Sequence, residues 1–142
     1  MKNKILLPPA RIGILGAGQL ALYMAIEALQ MGYQVSTFDP NPKSPAKRVS
    51  DFTCASFDDL EALEAFAKSC DVLTYEFENM NLEHIEALNN NYHLPQGSKI
   101  LKHTAHRYEE LKMAHDLGIT TVPSIYVEKP SDKLTGIEDL SF

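Results

Sequence analysis

A glycine-rich loop between a strand pattern and a helix pattern is the first place in this chain where the residue types could do chemistry. Gly16, Gly18 and Ala21 fit the pattern G-x-G-x-x-G/A. In this pattern the first glycine permits a tight turn, the second lets a ligand approach the backbone, and a small third residue permits close helix–strand packing. Backbone N–H groups at the start of the helix would attract an anion. Asp39 follows 21 residues after Gly18, where dinucleotide-binding folds place an acid that binds ribose.

Three interpretations of this loop stay open from its own sequence. The loop could be a tight turn that only packs the helix on the strand. It could be a dinucleotide site, which Asp39 favours, although Pro40 and two further prolines stiffen the segment that follows. It could also be a mononucleotide-like phosphate site on the same architecture.

The elements around the loop alternate between strand and helix patterns. Apolar and β-branched runs predict strands at 11–15, 34–38, 52–56 and 71–75. Helical periodicity predicts helices at 19–31, at 58–69 with Asp58 as the cap, at 82–88 and at 103–117. The predicted apolar face of the first helix consists of Leu20, Met24, Ala28 and Met31. Residues 94–95 are expected to pair briefly with the sheet, 122–127 to be extended, and 137–142 to begin another helix. Strand–helix alternation favours a three-layer α/β domain with a parallel sheet.

The composition excludes several classes of protein. Hydrophobic residues make up 44% and charged residues 23%, which supports a packed core rather than disorder. The net charge is −6 without a basic cluster, so we expect no nucleic-acid partner. The chain has no apolar run long enough for a signal peptide or membrane span. Cys54 and Cys70 lack metal-ligand spacing. We therefore expect a cytoplasmic protein with reduced cysteines, no metal site and no membrane partner.

Five motifs in order resemble one enzyme family. They are Gly-Ile-Leu-Gly-Ala-Gly-Gln-Leu at 13–20, Asp-Pro-Asn-Pro at 39–42, Asp-Val-Leu-Thr-Tyr-Glu-Phe-Glu-Asn at 71–79, Leu-Pro-Gln-Gly-Ser at 94–98 and His-Arg at 106–107. Together they are similar to the 5-(carboxyamino)imidazole ribonucleotide synthetase family, ATP-grasp ligases of purine synthesis. The resemblance covers about residues 11 to 127, and the Tyr-Glu-Phe-Glu-Asn run is its most specific part.

The resemblance implies a reaction and a domain organisation. Enzymes of this family use ATP, Mg²⁺ and bicarbonate to carboxylate aminoimidazole ribonucleotide. The resemblance implies a Rossmann-like domain of the type that precedes ATP-grasp modules, at 11–119, after an extension at 1–10 and before the start of the ATP-grasp region at 120–142. The nucleotide would lie between two later domains that this chain lacks. We therefore expect no catalysis and no tight ATP or Mg²⁺ binding by the chain alone. A homodimer is a further expectation, since such domains often join subunits in the family.

The resemblance also implies roles for particular residues. The loop that faces the substrate phosphate corresponds to Gly16, Gly18, Gln19 and Leu20. Glu76 matches a strand-end acid that reaches ribose hydroxyls, and Arg107 matches an arginine that contacts ATP phosphates. Each has a structural alternative: Gln19 could cap the helix, Glu76 could be a solvated acid, and Arg107 could form a surface salt bridge.

The chain departs from the family pattern at three positions near the implied ligands. Leu22 and Leu111 stand where the family has an arginine and a lysine, and Ala105 replaces a glutamine. These departures leave two other functions open. One is an NAD(P)-binding module that uses Gly16, Gly18 and Asp39. The other is a non-catalytic dimerisation scaffold.

Overall fold

The computed structural model describes residues 5–76, 80–104, 106–124 and 127. The chain divides into two compact units, Met1–Lys102 and His103–Phe142. The first unit contains the sheet and the glycine loop, and the second contains the last described helix. The predicted boundaries at residues 10 and 119 stay predictions.

Four parallel strands form the sheet of the first unit. They are β1 (Arg11–Leu15), β2 (Gln34–Phe38), β3 (Asp51–Thr53) and β4 (Val72–Tyr75), in the order β3-β2-β1-β4. Leu15 of β1 is in register with Phe38 of β2 and with Tyr75 of β4. The predicted parallel sheet is confirmed, and three of its strands end side by side.

Within the described residues, five helices and one short 3-10 turn connect and follow the strands. The helices are α1 (Gln19–Gln30), α2 (Leu60–Lys68), α3 (Leu82–Asn91), α4 (Lys99–Thr104) and α5 (Arg107–Asp116), and the 3-10 turn spans Pro45–Arg48. Residue alternation along the strands divides the core of the first unit between the two sheet faces. Leu15 and Phe38 belong to one apolar cluster with residues of α2 and α3. Ile14 and Val35 belong to the other with alanines of α1 and the 3-10 turn. Helices therefore cover both faces, as the three-layer prediction requires.

Of the predicted apolar face of α1, only Ala28 packs against the core, and Leu20, Met24 and Met31 are exposed. Ala21 and Ala25 are completely buried, whereas Leu20 is 62% and Met31 is 66% exposed. Small side chains let the helix axis approach the sheet closely, so alanines rather than large residues face the strands. The apolar pattern was ambiguous because only Gln19, Glu27 and Gln30 are polar among the 12 residues of α1.

Two predicted helix starts are also corrected. Helix α2 begins after Asp59, whose Oδ1 accepts a hydrogen bond from the N–H of Ala62 at 3.0 Å, so Asp58 is not its cap. The helix predicted at 103–117 is two helices, because His106 is extended and caps α5. Its Nδ1 accepts from the N–H of Tyr108 at 3.3 Å.

Several shorter predictions differ from the structure. Strand β3 is shorter than predicted, and α3 continues to Asn91. Leu94 and Pro95 form no strand, but the neighbouring His93 carbonyl accepts the N–H of Leu73 at 2.8 Å. Residues 122–124 are in no regular element, and the segment predicted as a helix start at 137–142 lies outside the described residues.

No helix in the described part of the chain is long and apolar enough to cross a membrane. Within the same residues, no group of three His, Cys, Asp or Glu side chains could hold a metal ion. Cys54 and Cys70 are both free thiols.

Candidate functional site in the glycine-loop cleft

The candidate site lies where three neighbouring strands end. Gly16, Asp39 and Glu76 each follow directly after the last residue of β1, β2 and β4. These three strands are adjacent and parallel, with their last residues in register. Ligands of open α/β sheets bind at this carboxyl edge. The topology therefore brings together residues that are up to 60 positions apart in sequence.

A cleft of about 370 Å³ opens at this edge of the sheet. Its size is within the range of small-molecule sites. It is lined by Gly16, Gly18, Asp39, Pro40, Asn41, Ser44, Pro45, Phe57 and Glu76. The described lining residues include two acids and neither lysine nor arginine.

Glu76 lies directly on the glycine loop. Its Oε1 accepts a hydrogen bond from the N–H of Gly18 at 3.0 Å, and its own N–H donates to the carbonyl of Leu15 at 3.1 Å. A Cβ at Gly18 would lie 2.9 Å from Glu76 Oε1, and a Cβ at Gly16 would lie 2.8 Å from Glu76 Cγ. Both glycines of the motif therefore leave space that the side chain of Glu76 occupies.

Asp39 accepts hydrogen bonds from both loops that border the cleft. Its Oδ2 accepts from the N–H of Ala17 in the glycine loop at 2.9 Å. Its Oδ1 accepts from the N–H of Asn41 in the proline-rich loop at 2.7 Å. Each carboxylate oxygen of Asp39 is thus already engaged by backbone. In a dinucleotide site the acid at this position accepts ribose hydroxyls, and Asp39 keeps an acceptor position on each oxygen for such a contact.

Gly16 forms the tight turn that the sequence predicts. Its φ is +99°, a value that side chains other than hydrogen rarely tolerate. Its N–H donates to the carbonyl of Phe38 at 2.8 Å, which links the end of β1 to the end of β2.

Of the other predicted loop residues, Gly18 lines the cleft, whereas Gln19 and Leu20 do not. Gly18 is the N-cap residue of α1, and no side chain makes the capping hydrogen bond. The side chains of Gln19 and Leu20 are exposed at the start of α1. Leu22 packs against the apolar cluster on the α1 side of the sheet. Substrate contacts by Gln19 and Leu20 stay predictions.

Arg107 lies in the second unit. It is the first residue of α5, and its guanidinium donates to Glu110 Oε2 at 2.6 Å. The Arg107 side chain is 74% exposed. In the same unit Leu111 lines a small pocket with Tyr108 and Lys112, while Ala105 lies outside the described residues. The contact with Glu110 is the surface salt bridge that the sequence left as an alternative, and the ATP role of Arg107 stays a prediction.

Sequence reasoning did not select Asn41, Ser44 or Phe57 as cleft residues. Asn41 and Ser44 belong to the proline-rich loop, and Asn41 Oδ1 accepts from the N–H of Lys43 at 3.0 Å. The three prolines in this loop were the available signal, because they hold an extended segment at the end of the sheet. Phe57 gave no such signal, because it lies between β3 and α2, far from the glycine loop in sequence.

The chain matches the family described as the ribonucleotide synthetase preATP-grasp domain over residues 10–103. The chain belongs to this family. The match covers the whole sheet and the three strand-end residues of the cleft.

Relatives of this preATP-grasp domain are longer proteins. The N5-carboxyaminoimidazole ribonucleotide synthase of Bacillus subtilis is 37% identical over 141 residues, which are 99% of this chain and 37% of the relative. The crystal structure of the Staphylococcus aureus N5-carboxyaminoimidazole synthetase with ADP has a TM-score of 0.84 and 37% identity, over 91% of this chain and 35% of that one. This chain therefore corresponds to the amino-terminal domain of such synthases and spans about a third of their length.

One solved relative contains the ribonucleotide. The Aspergillus clavatus N5-carboxyaminoimidazole synthase, in complex with ADP and 5-aminoimidazole ribonucleotide, has a TM-score of 0.65 and 25% identity. The alignment covers 80% of this chain and 31% of that one. The predicted family and fold are thus confirmed.

Proposed function

We propose that this preATP-grasp domain binds aminoimidazole ribonucleotide for a ligase that carboxylates it with ATP and bicarbonate. The observation that supports this most directly is Glu76, which lies on the glycine loop inside a cleft at the carboxyl edge of the sheet. The relatives named above support the substrate class, because they are N5-carboxyaminoimidazole ribonucleotide synthases or contain the ribonucleotide.

Glu76 would accept hydrogen bonds from the ribose of the substrate. A carboxylate offers about four acceptor positions, and the hydrogen bond from Gly18 uses one of them. A bound ribose could therefore bind the carboxylate without breaking this contact. Gly16, Gly18, Gln19 and Leu20 would form the wall of the site next to the ribose phosphate.

The chemical step would need residues outside this chain. Bicarbonate activation by ATP and Mg²⁺ requires cationic and metal-binding groups in a site that excludes water. In the described residues no acid or histidine cluster could hold a metal, and the chain spans about a third of its relatives. We therefore assign no catalytic residue here, and we expect neither turnover nor tight ATP binding. Arg107 would contribute an ATP-phosphate contact only in the longer protein.

Calorimetric titration of the 142-residue chain with aminoimidazole ribonucleotide tests the proposal, with NAD and ATP as control ligands. We expect selective binding of the ribonucleotide that is lost in Glu76→Ala. The matched control is Glu83→Ala, an exposed acid in the first turn of α3 that does not line the cleft. Preferential binding of NAD would contradict the proposal, and so would equal ribonucleotide affinity in both variants.

The exposed apolar side of α1 supports a second role, association of two copies of the chain. Leu20, Met24 and Met31 are 62%, 39% and 66% exposed, and a helix that is apolar on most sides is usually covered. Sedimentation equilibrium should show a dimer that Met24→Glu converts to a monomer. A wild-type chain that stays monomeric at high concentration would rule out this role.

A further inference from the structure

The motif Leu-Pro-Gln-Gly-Ser at 94–98 forms a turn beside β4. The N–H of Gly97 donates to the carbonyl of Leu94 at 2.9 Å, and the φ of Gly97 is +68°. Leu94 is buried in the same apolar cluster as residues of α2 and α3, which fixes the turn to the first unit. The residues of this turn do not line the cleft, so any effect of theirs on the cleft passes through β4.

Gln96 accepts two hydrogen bonds at the outer edge of β4. This strand ends the described sheet and pairs with β1 on one side only. On its other side, the N–H of Tyr75 donates to Gln96 Oε1 at 3.2 Å, and Thr74 Oγ1 donates to the same oxygen at 2.8 Å. A backbone N–H can only donate, so the oxygen of the Gln96 amide must face β4. The side chain therefore takes the place of the carbonyl that a further strand would supply.

Tyr75 is attached to the same turn through its ring as well. Its hydroxyl donates to the carbonyl of Gly97 at 3.0 Å, and its side chain is buried. Burial raises the pKa of the Tyr75 hydroxyl above its ordinary value, so the hydroxyl stays protonated and remains a donor at neutral pH. The last residue of β4 is thus held to the turn by both its backbone and its side chain.

The residue that follows, Glu76, has little room to move. Its N–H donates to the carbonyl of Leu15 at 3.1 Å, and its Oε1 accepts from the N–H of Gly18 at 3.0 Å. The nearest atoms to an added Cβ at Gly16 and at Gly18 are Glu76 Cγ and Oε1, at 2.8 and 2.9 Å. A displacement of about 0.5 Å at the end of β4 would therefore weaken the hydrogen bond to Gly18 or press the side chain into the loop.

We propose that Gln96 is a positioning residue for the cleft, because it fixes the end of β4 and thereby keeps Glu76 on the glycine loop. This inference rests on the proposed function, in which Glu76 contacts the ribonucleotide. Gln96 acts through Tyr75 and does not touch the substrate. Its side chain is exposed, so substitutions of Gln96 open no cavity and the variants should fold.

Amide hydrogen exchange of the 15N-labelled 142-residue chain, followed by NMR without ligand, tests the positioning. Gln96→Met keeps the length of the side chain and removes the acceptor. In this variant the Gly18 amide should exchange at least about tenfold faster than in the wild type, because its hydrogen bond to Glu76 is weakened. The Gly16 amide should be unchanged, since it donates to the carbonyl of Phe38 at 2.8 Å on the other side of β1. Gln96→Glu keeps an acceptor oxygen and should restore slow exchange at Gly18.

Calorimetric titration with aminoimidazole ribonucleotide is the second measurement. Gln96→Met should bind it about tenfold more weakly than the wild type, and Gln96→Glu should recover most of this loss. The matched control is Asp59→Ala, which also removes a side-chain acceptor from a backbone N–H of the first unit, at the start of α2. This control should change neither the Gly18 exchange rate nor the ribonucleotide affinity.

Two results would overturn the inference. One is an unchanged Gly18 exchange rate in Gln96→Met. The other is equal acceleration at Gly16 and Gly18, because this would show a general loosening of the first unit rather than a loss of positioning.

The outcomes separate this inference from the proposed function. If Gln96→Met accelerates exchange at Gly18 alone while the wild type fails to bind the ribonucleotide, the positioning of Glu76 stands and the proposed substrate is wrong. If the wild type and Gln96→Met bind the ribonucleotide equally tightly, the proposed function stands and the role of Gln96 is wrong.

Discussion

The N–H of Gly18 donates a hydrogen bond to Glu76 Oε1 at 3.0 Å, although the two residues are 58 positions apart in sequence. The contact joins the loop after β1 to the residue after β4, its neighbour in the sheet. It explains why two glycines stand in the loop, since Glu76 occupies the space that their side chains would need.

Gly16→Ala should lower the free energy of unfolding more than the same substitution at a glycine that has a positive φ but no close neighbour. Gly97 is the matched control, because its φ is +68° and the nearest atom to an added Cβ, Asn89 Oδ1, is 4.0 Å away. Backbone strain should cost about 1–3 kcal/mol in each variant. Contact with Glu76 Cγ at 2.8 Å should add roughly 1–3 kcal/mol for Gly16→Ala.

Urea denaturation of the two variants measures this difference. The double variant Gly16→Ala, Glu76→Ala should recover the added part of the loss, because the clashing side chain is gone. Equal losses for Gly16→Ala and Gly97→Ala would show that Glu76 does not limit the space above the loop.

Asp59→Ala should destabilise the first unit by about 1 kcal/mol, because the N–H of Ala62 loses the side-chain oxygen that caps α2. Asp58→Ala removes an acid one position earlier that does not cap the helix, and its effect should stay within about 0.5 kcal/mol. Thermal unfolding followed by circular dichroism compares the two. A larger loss for Asp58→Ala would contradict the observed cap.

Larger side chains on the side of α1 that packs on the sheet should destabilise the first unit. Ala25→Leu adds three carbon atoms at a completely buried position and should cost about 1–3 kcal/mol through overpacking. Leu20→Gln changes a side chain that is 62% exposed and should change stability by no more than about 0.5 kcal/mol. Urea denaturation measures both losses. If Leu20→Gln lowered the free energy of unfolding more than Ala25→Leu, the large residues and not the alanines would face the sheet.

The two thiols should react at different rates with Ellman's reagent at pH 8. Cys54 is exposed, whereas Cys70 is half-buried and its Sγ donates to the carbonyl of Phe66 at 3.4 Å. Burial raises the pKa of the Cys70 thiol above its ordinary value, which lowers the thiolate fraction that reacts. We expect Cys70 to react at least about tenfold more slowly.

Single variants assign the two thiol reactions. Cys54→Ser should lose the fast phase and Cys70→Ser the slow one, and the slow phase should accelerate as the pH rises toward the raised pKa. Similar rates for both thiols in the folded chain would show that Cys70 is accessible.

The sequence alone determined the fold class and most of the elements. Short apolar runs ending at Gly16 and Asp39 predicted β1 and β2, because strand pattern and turn chemistry are local properties. The ordered motifs also identified the family. The sequence placed Gly16 and Asp39 at the ends of the first two predicted strands, but it could not say what their neighbours would be.

Tertiary structure decided which side of α1 is buried and which groups meet in the cleft. A helix that is apolar on most of its surface has no single face that periodicity can select, so packing against the sheet selected Ala21 and Ala25. The pairing of β4 beside β1 brought Glu76 to Gly18, and the pairing of β2 on the other side brought Asp39 to Ala17. Strand order depends on contacts between distant residues, so local sequence does not specify it. The strand order therefore placed two carboxylates on the loop for which the sequence motif left a phosphate site as one of three interpretations.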